Sequence, residues 1–144
     1  MKKVLILGAS SFLGYHLKAS LEDSFDVLGT YLSTKPSEDG FERCNLRSKG
    51  DLASLGKFDY VVQYSSVVAG KRKYEKNLEM VRNAIEYCNL NSSKFIYISS
   101  SQVNFEYNSE YKQSKIKAEK LVRELSHQYN IVRPASPYGG LLKY

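Results

Sequence analysis

The chain has 144 residues, of which 42% are hydrophobic and 25% charged, and its formal net charge is +6. This length suits one domain with a substantial core, and no apolar stretch is long enough to span a membrane. The basic residues are scattered, which does not favour nucleic-acid binding, and the two cysteines lack metal-ligand spacing, so we expect reduced thiols, no metal site and a cytoplasmic protein.

Short apolar runs alternate with amphipathic stretches along almost the whole chain. The runs predict six strands, the third of them weak, at residues 4–7, 25–31, 41–46, 57–62, 95–99 and 130–133. Strands that alternate with helices favour a parallel sheet joined by right-handed crossovers. We therefore predict one α/β domain over residues 1–144, a Rossmann-like doubly wound parallel sheet with helices on both faces.

The amphipathic stretches predict three helices, each with apolar side chains at helical spacing. The apolar stripe of the second helix contains Cys88, which places this thiol in the core. The third helix has Ser109 as a suitable N-cap and Leu125 on its apolar face. Its lysines and glutamates, Lys115 and Glu119 among them, predict a solvated opposite face. The three helices are expected at residues 12–21, 74–90 and 110–127.

The first predicted strand ends in a turn with two glycines, in the segment LILGASSFLG. Gly8 follows the strand, where a sharp turn needs glycine, and Gly14 lies in the helix, where it allows close packing. Ser11 stands where a glycine would bring the backbone nearest a phosphate, although it can still donate an N–H and a hydroxyl. Helix N-termini bind anions. The segment therefore indicates either a phosphate-binding turn or an ordinary strand–turn–helix connection.

Two further motifs follow the strand at residues 95–99. Ser99, Ser100 and Ser101 come at its carboxyl end, where ligands bind in open α/β sheets, although triple serines also occur in ordinary loops. Tyr111 and Lys115 are four residues apart and share one helix face. A phenol has a pKa of about 10, and an ammonium beside it favours the phenolate that acid–base catalysis requires. The alternative is a pair of exposed helix residues.

The order of these motifs resembles the extended short-chain dehydrogenase/reductase superfamily, in its NAD-dependent epimerase/dehydratase branch, whose members act largely on nucleotide sugars. The matching segments cover nearly the whole chain: LILGASSFLG, KNLEMVRNAIEYC, FIYISSSQV, EYKQSKIKAEKLV and IVRPASPYGG. The resemblance implies an NAD(P)-dependent protein that moves a hydride and a proton at a hydroxyl or keto group of a nucleotide-sugar-like substrate.

The resemblance also implies catalytic roles for four residues. Tyr111 would be the acid–base residue, and Lys115 would tune it and hydrogen-bond the nicotinamide ribose. Ser101 would hold the substrate oxygen, with the two preceding serines as alternatives. Asn77 matches an asparagine that supports the active-site helix, although it is equally an ordinary polar residue near a helix start.

The implied cofactor contacts before the active-site helix run from the first turn to the end of the fourth strand. Tyr31, Ser33 and Lys35 come at the end of the second strand without a carboxylate. Ser33 and Lys35 could meet a 2′-phosphate, which gives a mild preference for NADP over NAD. The remaining contacts are Gly8, Ser10, Ser11, Phe12, Leu13 and Gly14 near the pyrophosphate, Ser65 and Ser66 beside the ribose, and Asn45 and Leu46 near the adenine.

The chain departs from the family in length. Extended members continue into a substrate-binding domain, so we expect that C-terminal domain to be absent here and catalytic turnover to be uncertain. The alternative function is a non-catalytic dinucleotide-binding module, or a truncated remnant that needs a homodimer or a partner chain to complete a substrate site. An unpaired sheet edge would favour such association.

Overall fold

The computed structural model describes residues 1–64, 72–104, 106 and 108–134. Within these ranges six strands form one sheet: β1 (Lys3–Leu7), β2 (Asp26–Tyr31), β3 (Phe41–Arg43), β4 (Tyr60–Gln63), β5 (Lys94–Ile98) and β6 (Tyr129–Val132). Their spatial order is β3-β2-β1-β4-β5-β6, and every neighbouring pair is parallel. The predicted doubly wound α/β sheet is confirmed. The single domain over residues 1–144 stays a prediction.

The described helices are α1 (Phe12–Leu21), α2 (Lys49–Ser54), α3 (Lys73–Asn91) and α4 (Glu110–Leu125), with a short 3₁₀ helix at Ser101–Asn104. The sequence pattern did not reveal α2, because this short helix buries only Leu52 and has no repeating apolar stripe. The N-cap predicted for α4 is confirmed, since the Ser109 side chain accepts a hydrogen bond from the Lys112 amide. None of the helices in the described ranges is long and apolar enough to cross a membrane.

The side chains of β1 show how the sheet separates two cores. Leu5 and Leu7 pack on the side of α3 and α4, whereas Val4 and Ile6 pack on the side of α1. Successive strand side chains point to opposite faces, so one apolar run supplies both cores. Cys88 belongs to the first core and is fully buried, as predicted, and burial raises the pKa of its thiol to about 12.

Two predictions about α4 are wrong. Leu125 was expected on the apolar face but is 44% exposed at the helix end, whereas Ala118 and Val122 are buried. Glu119 was expected on a solvated face but is only 1% exposed. Helical spacing assigns faces from side-chain polarity, and it cannot show that Arg123 on the same helix and Arg133 from elsewhere in the chain compensate the buried carboxylate.

The carboxyl ends of all six strands lie at one edge of the sheet, because the strands are parallel. The N-terminus of α1 follows β1 at this edge, and the 3₁₀ helix follows β5. The N-terminus of α4 lies there too, because α4 runs back to the start of β6. This topology brings the glycine turn, the serines and the Tyr111–Lys115 pair to the same edge.

Candidate functional site

The turn after β1 requires both of its glycines. Gly8 has a φ of 84°, in the region that side chains rarely adopt, and its amide donates to the Thr30 hydroxyl at 3.0 Å. A Cβ on Gly14 would lie 2.6 Å from the Gly8 carbonyl oxygen and 2.8 Å from the Cα of Ala9. The two glycines therefore allow a sharp turn and the close approach of α1 to the end of β1.

Ser11 caps α1 from within the turn. Its amide and its hydroxyl both donate to the Gly8 carbonyl oxygen, at 3.2 and 2.9 Å, and its hydroxyl accepts from the Gly14 amide at 3.2 Å. The Ser11 amide and hydroxyl, which the sequence suggested as donors to an anion, therefore form hydrogen bonds within the turn. The first-turn amides of Phe12 and Leu13 have no carbonyl four residues back within the helix, and they face the same end.

Two adjoining cavities cover the carboxyl ends of β1, β2 and β3. The first has a volume of about 370 Å³ and the second about 620 Å³, and Ser10 and Leu32 line both. Gly8, Tyr31, Asn45 and Leu46 also line the first cavity, and Ser33 and Glu38 also line the second.

Not every predicted cofactor contact lines these cavities. Lys35 lines neither of the two cavities. Ser65 and Ser66 lie outside the described residues. The two cavities share Ser10 and Leu32, and together they form a cleft that extends from the glycine turn to the end of β3.

Tyr111 and Lys115 meet on the first turns of α4. The Lys115 Nζ lies 5.7 Å from the centroid of the Tyr111 ring and 5.2 Å from that of the Tyr97 ring. It also donates to the Tyr97 hydroxyl at 3.3 Å. Burial lowers the pKa of Lys115, and the negative charge of Glu119 opposes that shift. Tyr111 is 39% exposed, so its phenol is accessible to a ligand.

Sequence analysis missed Tyr97, although its contact with Lys115 is part of the site geometry. Tyr97 comes from the middle of β5, where a tyrosine fits an ordinary strand pattern. It is buried, and burial raises the pKa of its phenol. Only the three-dimensional packing of α4 on β5 shows that its hydroxyl faces the lysine.

Ser101 opens the 3₁₀ helix that follows β5. Its amide donates to the Pro134 carbonyl oxygen at 3.2 Å, and the 3₁₀ helix contacts α4. Ser101 is half-buried, as is Asn77 in the first turns of α3. Ser101 therefore shares the 3₁₀ helix–α4 region with the Tyr111–Lys115 pair.

Glu119 joins three elements behind this pair. Its carboxylate accepts from the Ser99 hydroxyl at 2.6 Å, from Arg133 at 2.6 and 3.0 Å, and from Arg123 at 2.9 Å. Burial opposes ionisation of Glu119, but the hydrogen bonds from Arg133 and Ser99 outweigh it and lower the pKa of the carboxyl. Arg133 also reaches Asn104 of the 3₁₀ helix at 3.3 Å. The cluster ties the segment that carries Ser101 to α4.

Gln63 ends β4 at the same sheet edge and is 2% exposed. Neither polar atom of its side chain has a hydrogen-bond partner in the described structure. Its register partner on β5 is Tyr97. A buried amide of this kind would gain hydrogen bonds from a water or from a polar ligand group.

These features fit an extended anionic nucleotide. Because Gly14 has no Cβ, α1 approaches the end of β1 closely, and the adjoining cavities there can hold an extended molecule. A parallel sheet of this order, with a glycine turn at its first strand end, is the dinucleotide-binding Rossmann fold. The model of the NAD-dependent epimerase/dehydratase family matches residues 4–142, and the chain belongs to that family.

Solved structures support the same fold assignment. A hypothetical dTDP-4-dehydrorhamnose reductase from Sulfolobus tokodaii is 21% identical, with a TM-score of 0.76; the match covers 94% of this chain and 56% of that one. The Bordetella bronchiseptica enzyme WbmH, in complex with NAD+, is 18% identical, with a TM-score of 0.77 and coverages of 94% and 56%. L-threonine dehydrogenase from Clostridium difficile is 20% identical, with a TM-score of 0.78 and coverages of 92% and 53%.

At these identities the likeness concerns the fold. The chain spans about half the length of these solved structures. Comparison with curated proteins gave no match. Membership of the family supports NAD(P) as the cofactor class of this fold.

Proposed function

We propose that the chain binds an NAD(P) dinucleotide across the carboxyl ends of β1, β2 and β3 and acts at a hydroxyl or keto group of a nucleotide-sugar-like substrate. The observation that carries the proposal is the location of the Tyr111–Lys115 pair at the same sheet edge as the cleft. When bound, the nicotinamide would supply or accept the hydride. The chain itself would supply the proton and orient the substrate.

Four side chains have distinct parts in this proposal. The Lys115 ammonium, held between two tyrosine rings, would stabilise negative charge on the phenolate of Tyr111. The Tyr111 oxygen would exchange a proton with the substrate oxygen. The Ser101 hydroxyl would hydrogen-bond that same oxygen and fix its position. Asn77 would support this region from α3.

The predicted preference for NADP depends on Ser33 and Lys35. Ser33 lines the larger cavity, where it could meet a 2′-phosphate, but Lys35 does not. The NADP preference therefore stays a prediction that rests on one of its two residues.

A second candidate function is dinucleotide binding without turnover by this chain alone. The comparisons support this candidate equally, because the likeness to the solved structures concerns the dinucleotide-binding fold. In this candidate a second copy or a partner chain would enclose the substrate.

Calorimetric titration of the purified chain with NAD and with NADP, at fixed salt, tests the binding step. We expect micromolar affinity for at least one dinucleotide, which corresponds to about −8 kcal/mol. Absence of heat, together with an unchanged Tm, would exclude both candidate functions.

Turnover is tested by oxidation of the reduced dinucleotide, followed by absorbance, in the presence of nucleotide-linked keto sugars. The Tyr111→Phe variant should lose about 10²–10⁴-fold in rate and keep its dinucleotide affinity, because only the proton donor is removed. Tyr129→Phe is a matched control, since Tyr129 is equally exposed, at 38%, but lies on β6. Dinucleotide binding without turnover in the unmodified chain would favour the second candidate.

A further inference from the structure

The loop between β2 and β3 is fastened to α1 by a buried lysine. Lys18 is only 5% exposed, and its Nζ contacts Glu22 at 2.5 Å and the Asp39 carbonyl oxygen at 3.4 Å. The same Nζ lies 4.7 Å from the centroid of the Phe41 ring. Gly40 has a φ of 85°, and a Cβ there would lie 2.9 Å from the lysine nitrogen. The end of this loop is therefore held in a defined position.

Tyr15 fixes one carboxylate of this loop. Its ring stacks on Phe41, with centroids 6.4 Å apart and planes at 9°. Its hydroxyl donates to the Glu38 carboxylate at 2.5 Å. This hydrogen bond lowers the pKa of Glu38, so the side chain is charged at neutral pH. Glu38 is thus a positioned anion rather than an unrestrained surface glutamate.

Glu38 lines the larger cavity together with Ser10 and Ser33. Ser10 and Leu32 also line the smaller cavity, which extends to Asn45. A dinucleotide with its pyrophosphate at α1 and its adenine near Asn45 has its adenosine ribose between these points, over the end of β2. The fixed carboxylate would then stand beside the ribose hydroxyls.

We propose that Glu38 makes this chain select NAD over NADP, an inference that rests on the proposed dinucleotide binding. A carboxylate accepts hydrogen bonds from ribose hydroxyls, whereas it repels a 2′-phosphate. The sequence around β2 suggested the opposite preference because no carboxylate follows the strand directly. Glu38 comes later in the chain and is brought back to the cleft by Tyr15 and Lys18.

The test compares the dissociation constants of NAD and NADP for the unmodified chain, Glu38→Gln and Glu42→Gln. Glu42 provides a matched control, because it is an exposed carboxylate on β3 that lines neither cavity. We expect the unmodified chain to bind NAD about tenfold more tightly than NADP. In Glu38→Gln the two dissociation constants should become nearly equal, because NADP binds more tightly once the repelling charge is gone. Glu42→Gln should leave the ratio unchanged.

A second variant, Tyr15→Phe, releases the carboxylate without removing it and should reduce the ratio only in part. If the dinucleotides bind but the ratio does not respond to Glu38→Gln, or if the unmodified chain prefers NADP, the inference is wrong and the proposed binding stands. If neither dinucleotide binds, the proposed function itself fails, and the inference fails with it.

Discussion

Gly14 affects both the stability of the fold and the proposed phosphate site. In the Gly14→Ala variant, the new methyl group would meet the Gly8 carbonyl oxygen and the Ala9 Cα, both backbone atoms that cannot rotate away. We expect the free energy of unfolding, measured with urea, to fall by about 1–3 kcal/mol, as for other overpacked sites. Dinucleotide affinity should fall as well, because α1 must move away from the end of β1.

Gly50 provides the matched control for that substitution. It also lies in a helix, α2, but a Cβ there would meet only the Ser48 hydroxyl oxygen at 3.8 Å. Gly50→Ala should therefore stabilise the chain by about 0.5–1 kcal/mol, the usual gain for this change inside a helix. Equal responses of the two variants would contradict the steric argument for Gly14.

At the scale of residues, sequence analysis predicted the side-chain contacts that follow from spacing within one helix. Tyr111 and Lys115 share a helix face because they are four residues apart, and the structure brings them together. Tyr97 and Glu38 could not be found this way, since their contacts join elements or loops that are separate in the sequence. Polarity alone also misassigned Glu119, whose buried carboxylate is compensated by Arg133, the residue after β6.

At the scale of elements, Glu119 joins α4 to the carboxyl ends of β5 and β6 through Ser99 and Arg133. Glu119→Gln keeps the size of the side chain but removes its charge. We expect a loss of about 1.5–3 kcal/mol in the free energy of unfolding, because hydrogen bonds to a charged group are weakened and Arg133 loses its counter-ion. Urea unfolding at neutral pH measures this loss.

The control for this prediction is Glu124→Gln, on the same helix. Glu124 is exposed and lies 3.8 Å from Lys120, so the substitution should change the unfolding free energy by less than about 0.5 kcal/mol. A similar loss in both variants would mean that the helix charge, and not the buried cluster, is responsible.

Most of the larger elements could be predicted from periodicity alone. The bounds of α1 agree with the prediction at both ends, because Ser11 caps its start and apolar residues repeat along it. The strand predicted at residues 41–46 continues only to Arg43 in the sheet, since pairing with β2 ends there. Burial of Cys44 and Leu46 beyond the strand gives the same apolar signal as a strand would.

At the scale of the whole molecule, the parallel sheet explains why separate motifs can act together. Alternation of strands and helices predicted the sheet, and the sheet brings the carboxyl ends of β1, β2, β3 and β5 to one edge. The cavities at this edge could not be predicted from spacing, because the β2–β3 loop forms part of their walls only through contacts with α1. The same contacts hold the Glu38 carboxylate at the wall of the larger cavity.

The acid stability of the whole chain should depend on the Glu119 cluster. The pKa of Glu119 is lower in the folded chain than in the unfolded chain, where it is about 4.3. The ionised carboxylate therefore stabilises the fold fully above the unfolded pKa, and this stabilisation is lost as the pH falls through the folded pKa. Ser99, Arg123 and Arg133 contact this carboxylate, and Lys115 lies on the same helix. Arginine and lysine stay protonated through this range, so the change of charge belongs to Glu119.

Urea unfolding of the unmodified chain and of Glu119→Gln, each from pH 7 to about pH 3, tests this dependence. The difference between the two unfolding free energies should be constant from pH 7 to about pH 5 and then shrink towards acid, because protonation makes the glutamate resemble the glutamine. A difference that persists unchanged at pH 3 would show that the shape of the side chain, rather than its charge, holds β5, β6 and α4 together. In that case the link between the Ser101 segment and α4 would not respond to pH.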